Sequence, residues 1–478
     1  MALTISAHEV SKHNSLDSLW TVVDGVVYDL TEFAPSHPGG VNIILEYAGR
    51  DATAAYSAVH SPFFLTTLPP SKILGRLDTS APLPAMWIAT PSLPPLTADK
   101  PPLYTVISSH DFLRVALASF PLKTLAFVTG AATDLLTHRR NASAYADITL
   151  RPRALIDVSS VRIHTSILGH RVQTPIFCAP TGNSKSVHPD GELALGRACS
   201  ALGAAQVVST AASYSLSEVI DATKAASSTP HPIFFQLYVD RDRAKSERFL
   251  RAAAARGHLA GVFVTVDAPV VGKREADQRA HSDAANPRAL GPVRGHYIDS
   301  SLAWDDLRWV RAIVGAEIPI LLKGVQSAAD AVRAVRAGVQ GIVVSNHGGR
   351  SLDTAPASVL VLLELQRCCP EVFDKVEVFV DGGIMRGTDV FKALCLGARA
   401  VGVGRGFLYG LNYGEEGVKR FIEIMNDELE TTMKNCGVTS LDQVYPGLLN
   451  TRAVDHLIPD SLSEEHPYAK WRPRQSKL

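Results

Sequence analysis

Six cysteines in 478 residues (Cys178, Cys199, Cys368, Cys369, Cys395 and Cys436) are too few and too scattered for a disulfide framework, and no pair has metal-ligand or redox spacing. Several lie in apolar runs, where a thiol is a small core residue, so the chain reads as a protein of a reducing compartment without disulfides. Excess charge is also missing: Lys+Arg and Asp+Glu balance at 47 each. That excludes the basic footprint of nucleic-acid binding or of docking to an anionic membrane. The opening MALTISAHEV has no basic stretch leading into an apolar one, so it does not read as a secretory signal, nor is it an Arg-rich, acidic-poor transit peptide. A long uninterrupted apolar run is absent too. The best membrane candidate, residues 115–136, carries Pro121, Lys123 and Asp134 and reads as a helix pair in a soluble protein. Asn141-Ala142-Ser143 matches a glycosylation acceptor, a match without meaning in a chain not expected to be secreted.

Proline is plentiful, and its distribution divides the chain. Residues 1–79 read as a compact α+β unit, with two β-prone runs around the hairpin turn Asp24-Gly25 and helical patches at 41–48 and 51–58. Residues 80–104 are dense in proline, have almost no periodicity and suit an extended tether. From 105 to 455 short apolar runs alternate with helical stretches. The runs are 175–180, 205–210, 233–239, 261–267, 318–324, 341–346, 376–382 and 398–404. Continuous rather than alternating apolar strands imply a parallel sheet covered by helices. Eight in series favour a (β/α)8 barrel over a doubly wound sheet. Residues 456–478 form a charged tail.

Polar residues cluster just where these runs end: Thr181, Ser209, Gln236, Tyr238, Thr265, Asp267, Lys323, Ser345, His347 and Asp381. That is the face on which barrels carry chemistry. The stretch VSNHGGR supplies His347 and Arg350, and TVDAPVVGKREADQR supplies Asp267 and Arg274. Asp381-Gly382-Gly383 and the Gly404-Arg405 turn follow the seventh and eighth runs, where barrel loops commonly hold a phosphate. The set meets the needs of a redox reaction on an α-hydroxy acid. Two arginines grip a carboxylate, an imidazole takes a proton, and a carboxylate orients that imidazole. Lys323 can stabilise negative charge on a reduced flavin ring. The plain alternative for each residue is a structural ion pair or a satisfied buried polar group.

In the first unit, His37 sits on a Pro-Gly-Gly turn that has no need of histidine, and His60 follows after a helix-turn-helix pattern. Two imidazoles so placed can clamp a flat macrocycle and fill both axial positions of a haem iron, an arrangement for electron transfer. Spacing alone leaves open the reading of two surface histidines. The wording FAPSHPGGVNIILEYAGRDATAAY…VH resembles the cytochrome b5 family, which implies that His37 and His60 are the axial ligands of a b-type haem.

Residues 105–450 resemble the FMN-dependent 2-hydroxy acid dehydrogenase and oxidase family through LRPRALIDVS, APTG…HPDGE, FFQLYV, TVDAP…GKREAD, LLKGV, VSNHGGR and DGGIMRGTDVFKAL. With the haem unit in front, the whole chain resembles the flavocytochrome b2 type. The resemblance implies that His347 is the base, Asp267 its partner, and Arg274 and Arg350 the carboxylate ligands with Tyr238 nearby. It places FMN against Pro180, Thr181, Gly182, Ser209, Gln236, Thr265, Lys323 and Ser345. The FMN phosphate falls at Asp381, Gly382, Gly383, Gly404 and Arg405. It further implies oxidation of a small (S)-2-hydroxy acid such as L-lactate, a homotetramer, and electrons leaving through haem to a cytochrome c-like protein. O2 as acceptor, with peroxide as product, and a larger hydroxy acid as substrate stay open. Two departures stand out. Counting back from Gly130, Ala126 stands where the family usually has a substrate-contacting Tyr, and Met385 stands where it commonly has Arg, beside Arg386. Ser476-Lys477-Leu478 matches a peroxisomal address read by an import receptor. Cytoplasm and the mitochondrial intermembrane space are the alternatives.

Overall fold

The computed structural model describes residues 3–37, 41–57, 59–61, 63–66, 68–80, 87, 100–226, 231–280 and 297–460. Asp24 and Gly25 both take positive φ, 51° and 71°, so the hairpin joining Ser18–Val23 to Val26–Asp29 twists with its strands. This pair is the centre of a five-stranded sheet completed by Asn14–Ser15 on one side and Ile73–Asp78 and Thr4–Ser6 on the other. Short helices Val41–Leu45, Thr53–Ser57 and Phe63–Thr66 accompany it. One core cluster joins Leu19, Val23, Tyr28 and Ala34 to Ile44 and Leu45 of the first helix; another holds Ile5, Val10, Val22 and Val27.

Eight parallel strands form a closed barrel: Ile176–Cys178, Gln206–Ser209, Ile233–Leu237, Leu259–Thr265, Ile320–Val325, Gly341–Val344, Glu377–Asp381 and Ala400–Val403. Each falls on one of the eight apolar runs; six are trimmed at one or both ends, while Leu259–Thr265 starts two residues before its run and Ile320–Val325 ends one residue beyond its run. Their continuous hydrophobicity has a structural cause. Odd and even residues face different cores: Phe177, Val207, Phe234, Phe263, Leu321, Val343 and Phe379 fill the interior, while Ile176, Phe235, Val262, Leu322, Val344 and Val380 face the helices. Rings of Phe177, Phe234, Phe263 and Phe379 meet edge-to-face or tilted inside the barrel with centroids 5.3–6.3 Å apart. A hairpin, Thr165–Ile167 and His170–Val172, adds Ile167 and Val172 to this interior core, and Glu377 accepts the Leu168 amide at 2.9 Å.

Segment 115–136 is the expected helix pair, Ser109–Ser119 and Leu122–Thr129, parted at Pro121. Among the described residues no helix is long and apolar enough to cross a membrane. All six cysteines are free thiols, five of them buried. Of the proline-rich stretch, 81–86 and 88–99 lie outside the described residues. Trp87 is buried in the core of the first unit and donates to the Gly49 carbonyl at 2.9 Å, whereas the Pro101 carbonyl accepts from Tyr413 of the barrel at 2.7 Å.

The interior packing predicts that Phe263→Ala costs about 3–5 kcal/mol, because closed strands cannot collapse onto the void. Urea unfolding of the barrel measures it; a loss below 1 kcal/mol contradicts the packing described.

Candidate active site

The barrel's strand ends bring the expected residues to one mouth. His347 lies three residues past the sixth strand, with Nδ1 3.0 Å from Asp267 Oδ1 and Nε2 3.0 Å from the Tyr238 hydroxyl. Burial pushes the Asp267 carboxyl up, but the charge and hydrogen bond of His347, with Lys323 behind, more than reverse this and hold it below the usual carboxylate range. An ionised Asp267 accepts only, so Nδ1 carries a proton and the Nε2 lone pair accepts from the Tyr238 hydroxyl. Burial, then the charge on Asp267, raises the Tyr238 phenol, which stays protonated and able to donate.

The backbone under His347 is unusual. His347, Gly348 and Gly349 have φ of 60°, 64° and 77°, a left-handed run that costs a non-glycine residue free energy. It is held from both sides. Asn346 and Asn141, on helix Leu136–Asp147, exchange amide hydrogen bonds of 2.8 and 2.7 Å, and the Gly349 amide donates to Asn346 Oδ1 at 3.1 Å. Gly349 is pressed against His138, 2.6 Å from where a Cβ would lie. Asn141 is therefore fully engaged and 1% exposed, closed to the glycosylation its sequence context resembled.

A second network lines the expected flavin side. Ser209 Oγ donates to Gln236 Oε1 and Gln236 Nε2 to Thr265 Oγ1, each at 2.8 Å. Lys323 Nζ reaches Ser345 Oγ at 3.0 Å and Asp381 at 3.1 Å. Burial lowers the Lys323 ammonium, but Asp381 and Asp267 raise it further, so it stays charged. Pro180, Thr181 and Gly182 lie half-buried on the loop after the first strand. Gly382 and Gly383, with φ of 95° and 85°, let the chain pass against Asn141.

Three guanidinium groups converge nearby. Arg350 donates to the carbonyls of Phe127 and Gly130 at 2.8 and 2.7 Å, and Arg405 donates to those of Val128, Gly348 and Gly130 at 3.0–3.1 Å. Arg274 and Arg350 both lie over the Phe127 ring, 5.9 and 5.2 Å from its centre. Burial, then Arg274 and Arg405, lowers Arg350 well below the usual arginine value. So much buried like charge wants anions, and a carboxylate and a phosphate monoester answer that need. Space beside Gly404 is open, the nearest atom to a Cβ there being Thr181 Cγ2 at 3.9 Å. The residues present thus fit FMN. Arg386 does not take up the place of an arginine at Met385; it pairs with Glu428.

In the first unit the rings of His37 and His60 stand 6.0 Å apart. Two collinear metal–imidazole bonds of about 2 Å place ring centres about 6 Å apart. Phe33 stacks edge-on to His37 and Tyr56 and Phe64 flank His60. The pair fits a bis-histidine haem.

Sequence reading missed His138, whose Nδ1 lies 3.1 Å from Arg405 Nη1, and the Asn141–Asn346 pair. No local pattern announces either, since both act across sequence separations of about two hundred residues or more.

A parallel barrel with flavin-fitting polar ends and a separate bis-histidine unit define a flavin- and haem-dependent oxidoreductase. Residues 116–451 match the FMN-dependent dehydrogenase family and residues 6–78 the cytochrome b5-like haem/steroid binding domain. The chain belongs to the FMN-dependent dehydrogenase family, with a cytochrome b5-like domain at its front. It is 40% identical over 462 residues to an L-lactate dehydrogenase (cytochrome) of Wickerhamomyces anomalus, covering 93% of this chain and 79% of that one. It is 41% identical over 356 residues to a peroxisomal (S)-2-hydroxy-acid oxidase of Oryza sativa subsp. japonica, covering 71% and 94%. Among solved structures, a single-site mutant of flavocytochrome b2 with benzoylformate bound superposes with a TM-score of 0.70 at 36% identity, covering 80% and 96%.

Two outcomes are expected. Gly324 has φ of 114°, and a Cβ there would lie 2.4 Å from that of Asp267. Gly324→Ala displaces the Asp267 carboxylate and lowers turnover by about 100-fold with haem and flavin spectra intact; wild-type turnover contradicts this placement. Separately, burial, then the charge of Arg405, pushes His138 down to about 4 from its ordinary 6.5. The unfolded chain then binds more protons between those values, so stability falls as pH drops through that window. His138→Gln flattens this part of the profile in denaturant unfolding from pH 7 to 4; an unchanged slope refutes it.

Proposed function

We propose that this chain oxidises an (S)-2-hydroxy acid of the L-lactate type to the 2-oxo acid and sends the electrons out through its haem. The observation that carries the reading is His347, held between Asp267 and Tyr238 at 3.0 Å each beside paired guanidinium groups. Arg274 and Arg350 bind the carboxylate. Tyr238 donates to the substrate oxygen, and His347 Nε2 accepts the proton that the substrate loses. Asp267 stabilises the imidazolium so formed. Lys323, Gln236, Thr265, Ser209, Ser345, Pro180, Thr181 and Gly182 hold the FMN ring. Asp381, Gly382, Gly383, Gly404 and Arg405 hold its phosphate. FMN held by these residues would supply a two-electron acceptor, and a haem held by His37 and His60 would supply a one-electron carrier.

The units are placed at 1–79 for haem, 80–104 for the connection, 105–455 for the barrel and 456–478 for the tail, consistent with the two family matches. The reading extends to a homotetramer and to a protein acceptor of the cytochrome c kind. It extends also to import-receptor recognition of Ser476-Lys477-Leu478, which lie outside the described residues. A second reading, a larger 2-hydroxy acid, is favoured by Ala126: no hydroxyl projects from that buried position, and the Phe127 ring lies against the two arginines.

An anaerobic stopped-flow spectrum tests both, with L-lactate, glycolate and (S)-mandelate added in turn. Flavin bleaching followed by the sharp bands of reduced haem is expected, and the fastest acid names the substrate class. Flavin bleaching with haem oxidised until air is admitted contradicts the exit through haem and turns the reading to an oxidase.

A further inference from the structure

The first unit meets the barrel through His60 and its neighbour. Ser61 is completely buried, although it lies in a short turn between two surface helices of a small unit. Its amide donates to the Ser213 carbonyl at 2.7 Å, and its hydroxyl bonds closely to Glu218 Oε1. The carbonyl of His60 accepts from Lys185 Nζ at 3.2 Å. Two consecutive residues, one of them the candidate ligand His60, thus make three polar contacts with the barrel, two of them to charged groups, Glu218 and Lys185.

The barrel side is built to receive them. Glu218 begins helix Leu216–Ala226 in a reciprocal cap with Ser215: Glu218 Oε2 accepts the Ser215 amide and hydroxyl at 2.8 Å, and the Glu218 amide donates back to Ser215 Oγ at 3.3 Å. One carboxylate oxygen caps the helix and the other is left for Ser61. Lys185 is fixed as well, its amide on Ser213 Oγ at 3.2 Å and its ammonium 5.0 Å from the Tyr214 ring centre. Buried Glu192 ties the two loops together, accepting the amides of Ser184 and Ser213 at 3.2 and 3.0 Å. These loops continue directly into Thr181–Gly182 and Ser209, and the Asn183 amide donates to the Ala211 carbonyl at 3.0 Å.

We propose that Lys185, Ser213 and Glu218 form a docking clip for the chain's own haem unit, gripping the backbone of His60 and Ser61, and that this grip sets how fast electrons pass from the barrel to the haem. The proposal rests on the flavin-to-haem reading above. Tunnelling weakens steeply across a gap. The clip replaces a gap with hydrogen bonds that run from the ligand residue into the loops on the flavin side, and it raises the fraction of molecules that are docked.

The test uses full-length holoenzyme carrying Ser61→Ala with Lys185→Met. Hydrogen exchange of the peptide over 57–64, in the oxidised resting protein, should quicken. In anaerobic stopped flow with L-lactate, flavin bleaching keeps the wild-type rate while the rise of reduced haem slows by about tenfold or more. Lys185→Arg, which keeps a cationic donor, restores most of the haem rate. A haem rate within twofold of wild type in the double variant overturns the proposal. If the wild-type haem never reduces while its flavin bleaches, the electron route itself has failed. Exchange then decides the clip alone, and unchanged protection of Ser61 in the double variant overturns it.

Discussion

The 3.0 Å hydrogen bond between Asp267 Oδ1 and His347 Nδ1 is the contact on which the mouth of the barrel depends. It fixes the tautomer, turns Nε2 to the Tyr238 hydroxyl, and puts the counter-charge for an imidazolium where water does not screen it. Neither partner comes to it freely. Asp267 fits only because Gly324 has no side chain, and His347 reaches it only from a left-handed backbone. Such a conformation persists where the surroundings over-determine it. Here the Asn141–Asn346 amide pair and the seat of Gly349 against His138 do so. The helix carrying His138 and Asn141 is therefore as much a part of the site as the strands.

Around that bond the charges are sorted by what they meet. Lys323 is balanced by Asp381 and Asp267 and stays protonated. Buried Arg274 and half-buried Arg350 and Arg405 gather over a floor of carbonyls and one aromatic ring. Carbonyl dipoles orient Arg350 and Arg405, the carboxylates of Asp277 and Asp381 offset part of their charge, and a cluster of three guanidinium groups suits further anions such as a carboxylate and a phosphate. The haem unit works by the opposite rule. Its two imidazoles are lined by aromatic rings, and a haem iron held by both would have no coordination site left open for chemistry.

Much of this was legible along the chain. Parallel strands buried on both faces must be continuously apolar, which is why all eight barrel strands showed. Polar residues at their ends showed because each breaks an apolar run at the same point. His37 showed because a Pro-Gly-Gly turn has no use for an imidazole. Asn141, His138, Ser61 and Glu218 were hidden for one shared reason. Each works through a partner more than a hundred residues away, and locally each looks like an ordinary polar helix or turn residue. Asn141 was visible only as a spurious glycosylation acceptor. Trp87 was hidden in the same way, an aromatic in a proline-rich stretch whose ring belongs to the core of the first unit.

The account stands on His347 as the proton acceptor. Its most direct test is the rate of anaerobic flavin reduction by L-lactate in His347→Gln, with reduction by dithionite as the control for both cofactors. We expect a fall of about a thousandfold or more, with flavin and haem spectra and dithionite reduction unchanged. Flavin reduction within tenfold of wild type would contradict the assignment of His347 as the base.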